Sequence, residues 1–215
     1  MIRRDKICVQ VAMFLMVMLF SSFLFAQKTT YKILYNVLED REKDNYDIYS
    51  MNMDGSDKKN ITNTPGVEWV YYASGNKVYY VSDIDTCHRC YFLYEMDAEG
   101  NGKRKVSSLQ LEDSWMSGYR MLTGQQLLVI GRIGKTVRNQ LFTVNIKEGS
   151  YQQITDDTVS TKRDPLYLPV GKVIIMAYRP DKTLRKTIPD ELWTFSFNDK
   201  AYLGEPFGFR KKQLT

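Results

Sequence analysis

The chain has 215 residues, 43% apolar and 26% charged, with a formal net charge of +5. Thirteen Gly and six Pro exclude a collagen-like or linker chain, the apolar content excludes a disordered one, and three Cys are too few for a disulfide-built miniprotein. Fifteen Tyr, ten Phe and three Trp favour strands over helices, and the length suits one ordinary domain or two small ones.

Met1 to Lys6 carries three positive charges and one negative, and Ile7 to Ala26 is apolar apart from Gln10, Ser21 and Ser22. A basic start, an apolar stretch and a small final residue predict a secretory signal peptide over 1–26, cleaved after Ala26. The alternative is an uncleaved anchor, because about 20 apolar residues can span a bilayer. Asp5-Lys6-Ile7 before Cys8 lacks the residues of a lipobox. No second run of spanning length follows, so residues 27–215 are expected to be periplasmic or secreted, or membrane-anchored if the leader stays. Removing 1–26 lowers Lys plus Arg from 30 to 27 and Asp plus Glu from 25 to 24, leaving +3. With both signs interspersed there is no basic stripe for nucleic acid, and Arg210-Lys211-Lys212 reads as a solvated terminus.

From there the chain repeats itself. Asp47-Ile48-Tyr49-Ser50-Met51-Asn52-Met53-Asp54-Gly55 closes at Ile61-Thr62, and Phe92-Leu93-Tyr94-Glu95-Met96-Asp97-Ala98-Glu99-Gly100 closes at Val106-Ser107. Gln140-Leu141-Phe142-Thr143-Val144-Asn145, with Gly149, closes at Ile154-Thr155, and a fourth unit begins at Glu191-Leu192-Trp193. The key aromatics Tyr49, Tyr94, Phe142 and Trp193 stand 45, 48 and 51 residues apart, and each of the first three lies 13 residues before its closing Thr or Ser. Asp54-Gly55 and Glu99-Gly100 supply turn chemistry where φ is positive, and Asp97 is a repeat position of its blade. Between these units lie β-branched and aromatic pairs bracketing turns at Gly75, Gly124 and Gly171, which read as hairpins. No segment shows a sustained 3.6-residue apolar period, so helices should be scarce. Four short antiparallel strands per unit of about 45 residues predict an all-β chain, a β-propeller of about four four-stranded blades. The blades fall at 31–62, 67–107, 113–155 and 164–215. A β-sandwich would give short strands without the matched turns.

The repeat resembles that of TolB-type β-propellers, in which a strand ending in Ser-Asp precedes an Ile-Tyr-x-Met-Asp strand, a Gly turn and a closing Leu-Thr. Asp47 to Thr62, and Val81-Ser82-Asp83 through Asp97 to Ser107, carry the likeness; the third and fourth units are degenerate. The Ser-Pro-Asp-Gly turn of the family is replaced by Ala73-Ser74-Gly75-Asn76 and Leu122-Thr123-Gly124-Gln125. The resemblance implies an extracytoplasmic protein, with protein-binding envelope components and the propellers of prolyl-oligopeptidase-like enzymes among its relatives. It also implies six blades, where 189 mature residues hold about four, so the array is either a short closed ring or an open, partial one. An open array exposes strand edges and would need a partner, a second copy in a homodimer, or a missing C-terminal half. Two endings remain open. Either Tyr202 to Phe207 closes the fourth blade and Gly208 to Thr215 returns to the first, or Leu214-Thr215 is the fourth unit's own ending.

Cys87-His88-Arg89-Cys90 is the conspicuous local motif, holding the last two cysteines and the single histidine. In an oxidising compartment the pair reads as a structural disulfide between strands. A redox-active pair lacks its βαβ context, and two thiolates plus one imidazole do not complete a zinc tetrahedron. There is no Gly-x-Ser-x-Gly elbow, so catalytic residues, metal and cofactor are all read as none. Glu39-Asp40-Arg41-Glu42 and Asp83-Ile84-Asp85 read as solvated turn residues rather than a calcium loop. Asn60-Ile61-Thr62 fits a glycosylation sequon but is read as a strand ending. The functional expectation is a non-enzymatic, extracytoplasmic propeller that binds a protein or cell-envelope ligand through its loop face. The alternatives are a peptidase-like propeller without its catalytic part, and a carbohydrate- or small-molecule-binding propeller.

Overall fold

The computed structural model describes residues 31–121, 124–134, 138–156 and 160–168, and strands at 172–178, 180–181, 186–187, 191–196 and 212–214. The predicted leader over 1–26 lies outside them. The described residues are strands, turns and loops without a helix, as the missing 3.6-residue period predicts.

The first sheet runs β1 (Lys32–Asp40), β2 (Asn45–Asn52), β3 (Lys59–Asn60). The second set is β4 (Glu68–Ser74), β5 (Lys77–Ser82), β6 (Phe92–Asp97) and β7 (Arg104–Leu111). The third is β8 (Ser117–Met121), β9 (Gly124–Arg132), β10 (Gln140–Asn145) and β11 (Tyr151–Gln153). The fourth is β12 (Thr161–Leu168), β13 (Lys172–Tyr178), β16 (Glu191–Ser196) and β17 (Lys212–Leu214), with a small hairpin of β14 (Pro180–Asp181) and β15 (Lys186–Thr187) between. Neighbours pair antiparallel throughout, so each set is a meander, the strand order of a propeller blade. β7 also pairs with β9 through Gln110↔Arg132 and Leu111↔Gly131, which joins the second and third sets into one hydrogen-bonded sheet.

One register recurs in all four sets. The key aromatic pairs with the residue before the closing aliphatic: Tyr49↔Asn60, Tyr94↔Lys105, Phe142↔Gln153 and Trp193↔Gln213. Ile61, Val106, Ile154 and Leu214 therefore hold the same position. This separates the two endings. β17 pairs with β16, so Leu214 closes the fourth unit, and the reading in which Gly208–Thr215 returns to complete the first sheet is corrected. The 20-residue spacing from Trp193 to Gln213, against 11 in the other units, hid the equivalence in the sequence. Tyr202 to Phe207 and Thr215 lie outside the described residues.

The closing threonines are clasps. Thr62 Oγ1 donates to Asp47 Oδ1 at 2.8 Å and accepts from Ile48 N at 2.8 Å. Thr155 Oγ1 donates to Gln140 Oε1 at 2.7 Å and accepts from Leu141 N at 3.0 Å. All four side chains are buried, where unmade hydrogen bonds are costly. The second unit departs from this. Phe92 stands where Asp47 stands, Lys105 Nζ lies 3.4 Å from its ring centroid, and the Ser107 hydroxyl accepts locally from Leu109 N at 3.3 Å.

The sheets stack face to face. Leu34, Ile48 and Ile61 of the first pack on Val78, Tyr80, Tyr94 and Met96 of the second. The turn glycines set the approach. Gly100 (φ +86°) brings the place of a Cβ to 2.6 Å from the Ile61 carbonyl oxygen, and Gly149 (φ +73°) to 2.2 Å from that of Val106. A side chain at either position would collide with backbone of the preceding sheet, so both glycines serve a turn and a contact at once.

Thr62→Val and Thr155→Val are each expected to cost about 1–3 kcal/mol, as a buried hydrogen-bond partner is lost. Ser107→Ala should cost less. Denaturation midpoints in urea at constant m-value check the order.

Candidate binding face

Asp83 organises the loop that carries the cysteine motif. Its side chain is buried, with Oδ1 accepting from Val67 N at 2.8 Å and Oδ2 from Arg89 N at 2.7 Å. Its carbonyl accepts from Thr86 N and Thr86 Oγ1. Asp83 is thus a tether between the entry to β4 and the loop after β5, which corrects its reading as a solvated turn residue. Asp40 does fit that reading, since its Oδ1 caps the turn by accepting from Glu42 N and Lys43 N.

Cys87 and Cys90 form the predicted disulfide, with Cα atoms 5.1 Å apart, and Cys90 N donates to Cys87 O. The turn it closes presents His88 and Arg89 outward. Arg89 forks onto Asp44 of the first sheet's hairpin, Nε to Oδ2 at 2.7 Å and Nη2 to Oδ1 at 2.9 Å, and His88 Nε2 lies 3.1 Å from Asp44 Oδ2. The Arg89 hydrogen bond holds the Asp44 carboxyl below the usual aspartate range. Both partners are solvent-accessible, so the fork fixes loop geometry more than it adds stability.

Beside this loop runs a row of four aromatics that crosses three sheets. Tyr46 of β2 lies 5.2 Å from Trp69 of β4, Trp69 lies 6.3 Å from Tyr71, and Tyr71 lies 5.7 Å from Trp115 ahead of β8, centroid to centroid. Trp69 and Tyr71 share one face of β4 by the two-residue alternation of a strand. Tyr46, Trp69 and Tyr71 are half-buried, whereas Trp115 is 59% exposed. Trp69 Nε1 and the Tyr71 hydroxyl are enclosed and make no hydrogen bond among the described residues. Trp115, the exposed end of the row, offers a large rigid ring with a polar edge to a contact from solvent.

On the face of β4 opposite Trp69, Glu68 is 1% exposed. Its Oε1 accepts from Ser82 Oγ at 2.9 Å and from Thr64 Oγ1, while Oε2 has no partner among the described residues. Burial raises its carboxyl from 4.5 to about 7, against the opposing pull of the two hydroxyls. A separate shallow groove of about 260 Å³ lies between the second and third sets, lined in part by Phe92, Arg132, Ile133 and Tyr151.

The predicted repeat residues are spread along the sheets and do not converge. Tyr49, Asp54, Gly55, Thr62, Tyr94, Asp97, Gly100, Ser107, Phe142, Gly149 and Thr155 serve strand pairing, turns and packing; Asp97 Oδ1, for example, accepts from Glu99 N and Asn101 N across its turn. Trp193 pairs in β16, and its side chain lies outside the described residues. Asn60 donates to Asp47 Oδ2 at 2.7 Å and Thr62 is buried, so the sequon is a strand ending. Sequence reasoning missed Tyr46, Trp69, Tyr71 and Trp115 as a set, because they come from three units and meet only through blade stacking. Among the described residues, no three His, Cys, Asp or Glu side chains are grouped to hold a metal.

No protein-family model and no curated protein matches the chain. Two similar solved structures are a putative TolB from Agrobacterium tumefaciens, at TM-score 0.59 and 17% identity, and TolB from Acinetobacter baumannii, at 0.56 and 14%. They are matched over 85% and 79% of this chain, which spans 61% and 37% of theirs. The likeness establishes the fold as the TolB type of β-propeller, here as four antiparallel sets of strands of which the first has three described strands.

Glu68 gives a pH signature. The neutral acid is favoured in the folded chain, so its contribution is whole below about pH 4.5 and is lost as pH rises to about 7. The fall should be at most about 3 kcal/mol. Asp44, lowered by Arg89, works oppositely and below pH 4. Urea denaturation between pH 4.5 and 7.5 should show stability falling in the native chain and a flatter profile in Glu68→Gln.

Proposed function

We propose that the propeller acts outside the cytoplasm as a non-enzymatic binding module for a protein or cell-envelope ligand, received on the face of Trp69, Tyr71 and Trp115. The observation that carries this is the row itself, which runs across three units and ends in a largely exposed indole. Exposed aromatics anchor protein contacts through large rigid area, and a buried Tyr or Trp tip usually finds a partner. The disulfide and the Arg89–Asp44 fork hold the rim beside the row. The TolB-type resemblance, through its envelope relatives, supports an extracytoplasmic place. The leader read over 1–26 supports export, and the Cys87–Cys90 disulfide fits an oxidising compartment.

The same aromatics favour a second reading, in which a sugar stacks on Trp115. A photo-crosslinking residue at position 115, in cells that make the full chain, is expected to trap a discrete envelope protein, and one at Lys147 on a turn of the third set is not. Trp115→Ala should weaken that association by tenfold or more with no change in melting temperature. Glycan-array binding without a protein adduct would favour the sugar, and peptidase activity lost to a serine-directed inhibitor would refute the non-enzymatic assignment.

A further inference from the structure

The first sheet carries a stacking face that the second sheet also carries, and only the second has it covered among the described residues. By register, Ile33 and Met51 of the first correspond to Val78 and Met96 of the second, and the Tyr35↔Tyr49 pair to Tyr80↔Tyr94. Ring centroids in the two tyrosine pairs are 5.8 Å apart in both. Val78, Tyr80 and Met96 are buried beneath Leu34, Ile48 and Ile61, whereas Ile33, Tyr35 and Met51 are only half-buried. The turn glycine agrees. Gly55 has φ +83°, like Gly100 and Gly149, yet nothing among the described residues lies within 4 Å of where its Cβ would stand.

The far end of the array supplies the complement. The three positions that cover the second sheet are held in the fourth by Ile174, Leu192 and Leu214, all aliphatic, as their pairings with Thr194, Met176 and Leu192 place them. Among the described strands, no strand of the first sheet packs extensively on a strand of the fourth.

We propose that the uncovered face of the first sheet receives the fourth sheet of a second copy of this chain, head to tail. The contact repeats the interface between the first and second sheets, with Leu214 at the position of Ile61 and Gly55 at that of Gly100. It is heterologous, and two such contacts close a ring of eight sheets from two copies, within the range of known propellers.

Sedimentation equilibrium of the full chain in density-matched detergent is expected to give twice the chain mass of 25.1 kDa. Tyr35→Asp and Leu214→Asp should each give a monomer. Their equimolar mixture should regain a dimer, more weakly than the native chain, because each variant keeps the face the other has lost. Misfolded variants would not complement. If Tyr35→Asp loses its circular dichroism, Met51→Lys on the same face takes its place. A native monomer at the highest soluble concentration overturns the inference. So does a dimer that neither substitution disturbs, or a mixture of two folded variants that stays monomeric.

Discussion

Stacked sheets keep a common spacing only if something sets how near their backbones come. Here it is the approach of a turn glycine to the carbonyl of the preceding sheet, at Gly100 on Ile61 and Gly149 on Val106. The positive φ of the turn and the missing Cβ are demanded at one position by two different neighbours. The approach seats the apolar faces together, so that Ile48 and Ile61 bury Val78 and Met96 in one contact and Val106 and Phe142 enter one cluster in the next. The aromatic row depends on the same spacing, because its members come from three sheets.

Much of this was legible in the sequence, since a propeller repeats its chemistry. The 13-residue interval from aromatic to closing threonine is the path across one hairpin and back to the clasp, and Thr62 and Thr155 show why a hydroxyl belongs there. The second unit kept the interval without the clasp, because Phe92 cannot accept a hydrogen bond. The longer loop of the fourth unit concealed Leu214, which only pairing with β16 reveals. Asp83 looked like a turn residue because periodicity says nothing of a loop that folds back on the neighbouring strand. The binding face was least legible, as stacking and not spacing brings Tyr46, Trp69 and Trp115 together.

Polar chemistry at that face divides into two kinds. Asp83 and the Arg89–Asp44 fork are satisfied and hold the disulfide turn in place. Trp69 Nε1 and the Tyr71 hydroxyl are enclosed and unpartnered among the described residues, as is Glu68 Oε2 on the opposite face of β4. Enclosed polar atoms without partners are uncommon in folded proteins, and here three come from one stretch of β4. The satisfied rim is the preorganised part of this surface, with its ordering costs met during folding rather than on binding.

The double pairing of β7, with β6 from Arg104 to Gln110 and with β9 at Gln110 and Leu111, bears on how the chain comes apart. A shared strand makes the second and third sets one cooperative unit, so breaking either exposes backbone of both. Among the described residues, the backbone pairing of the first sheet with the second is one isolated bridge, Tyr46↔Val67, and the rest of the joint is side-chain packing and side-chain hydrogen bonds such as the Arg89–Asp44 fork. With less shared backbone, the first sheet has the lower local opening free energy of these two units, and its opening would carry Tyr46 and Asp44 away from the recognition surface.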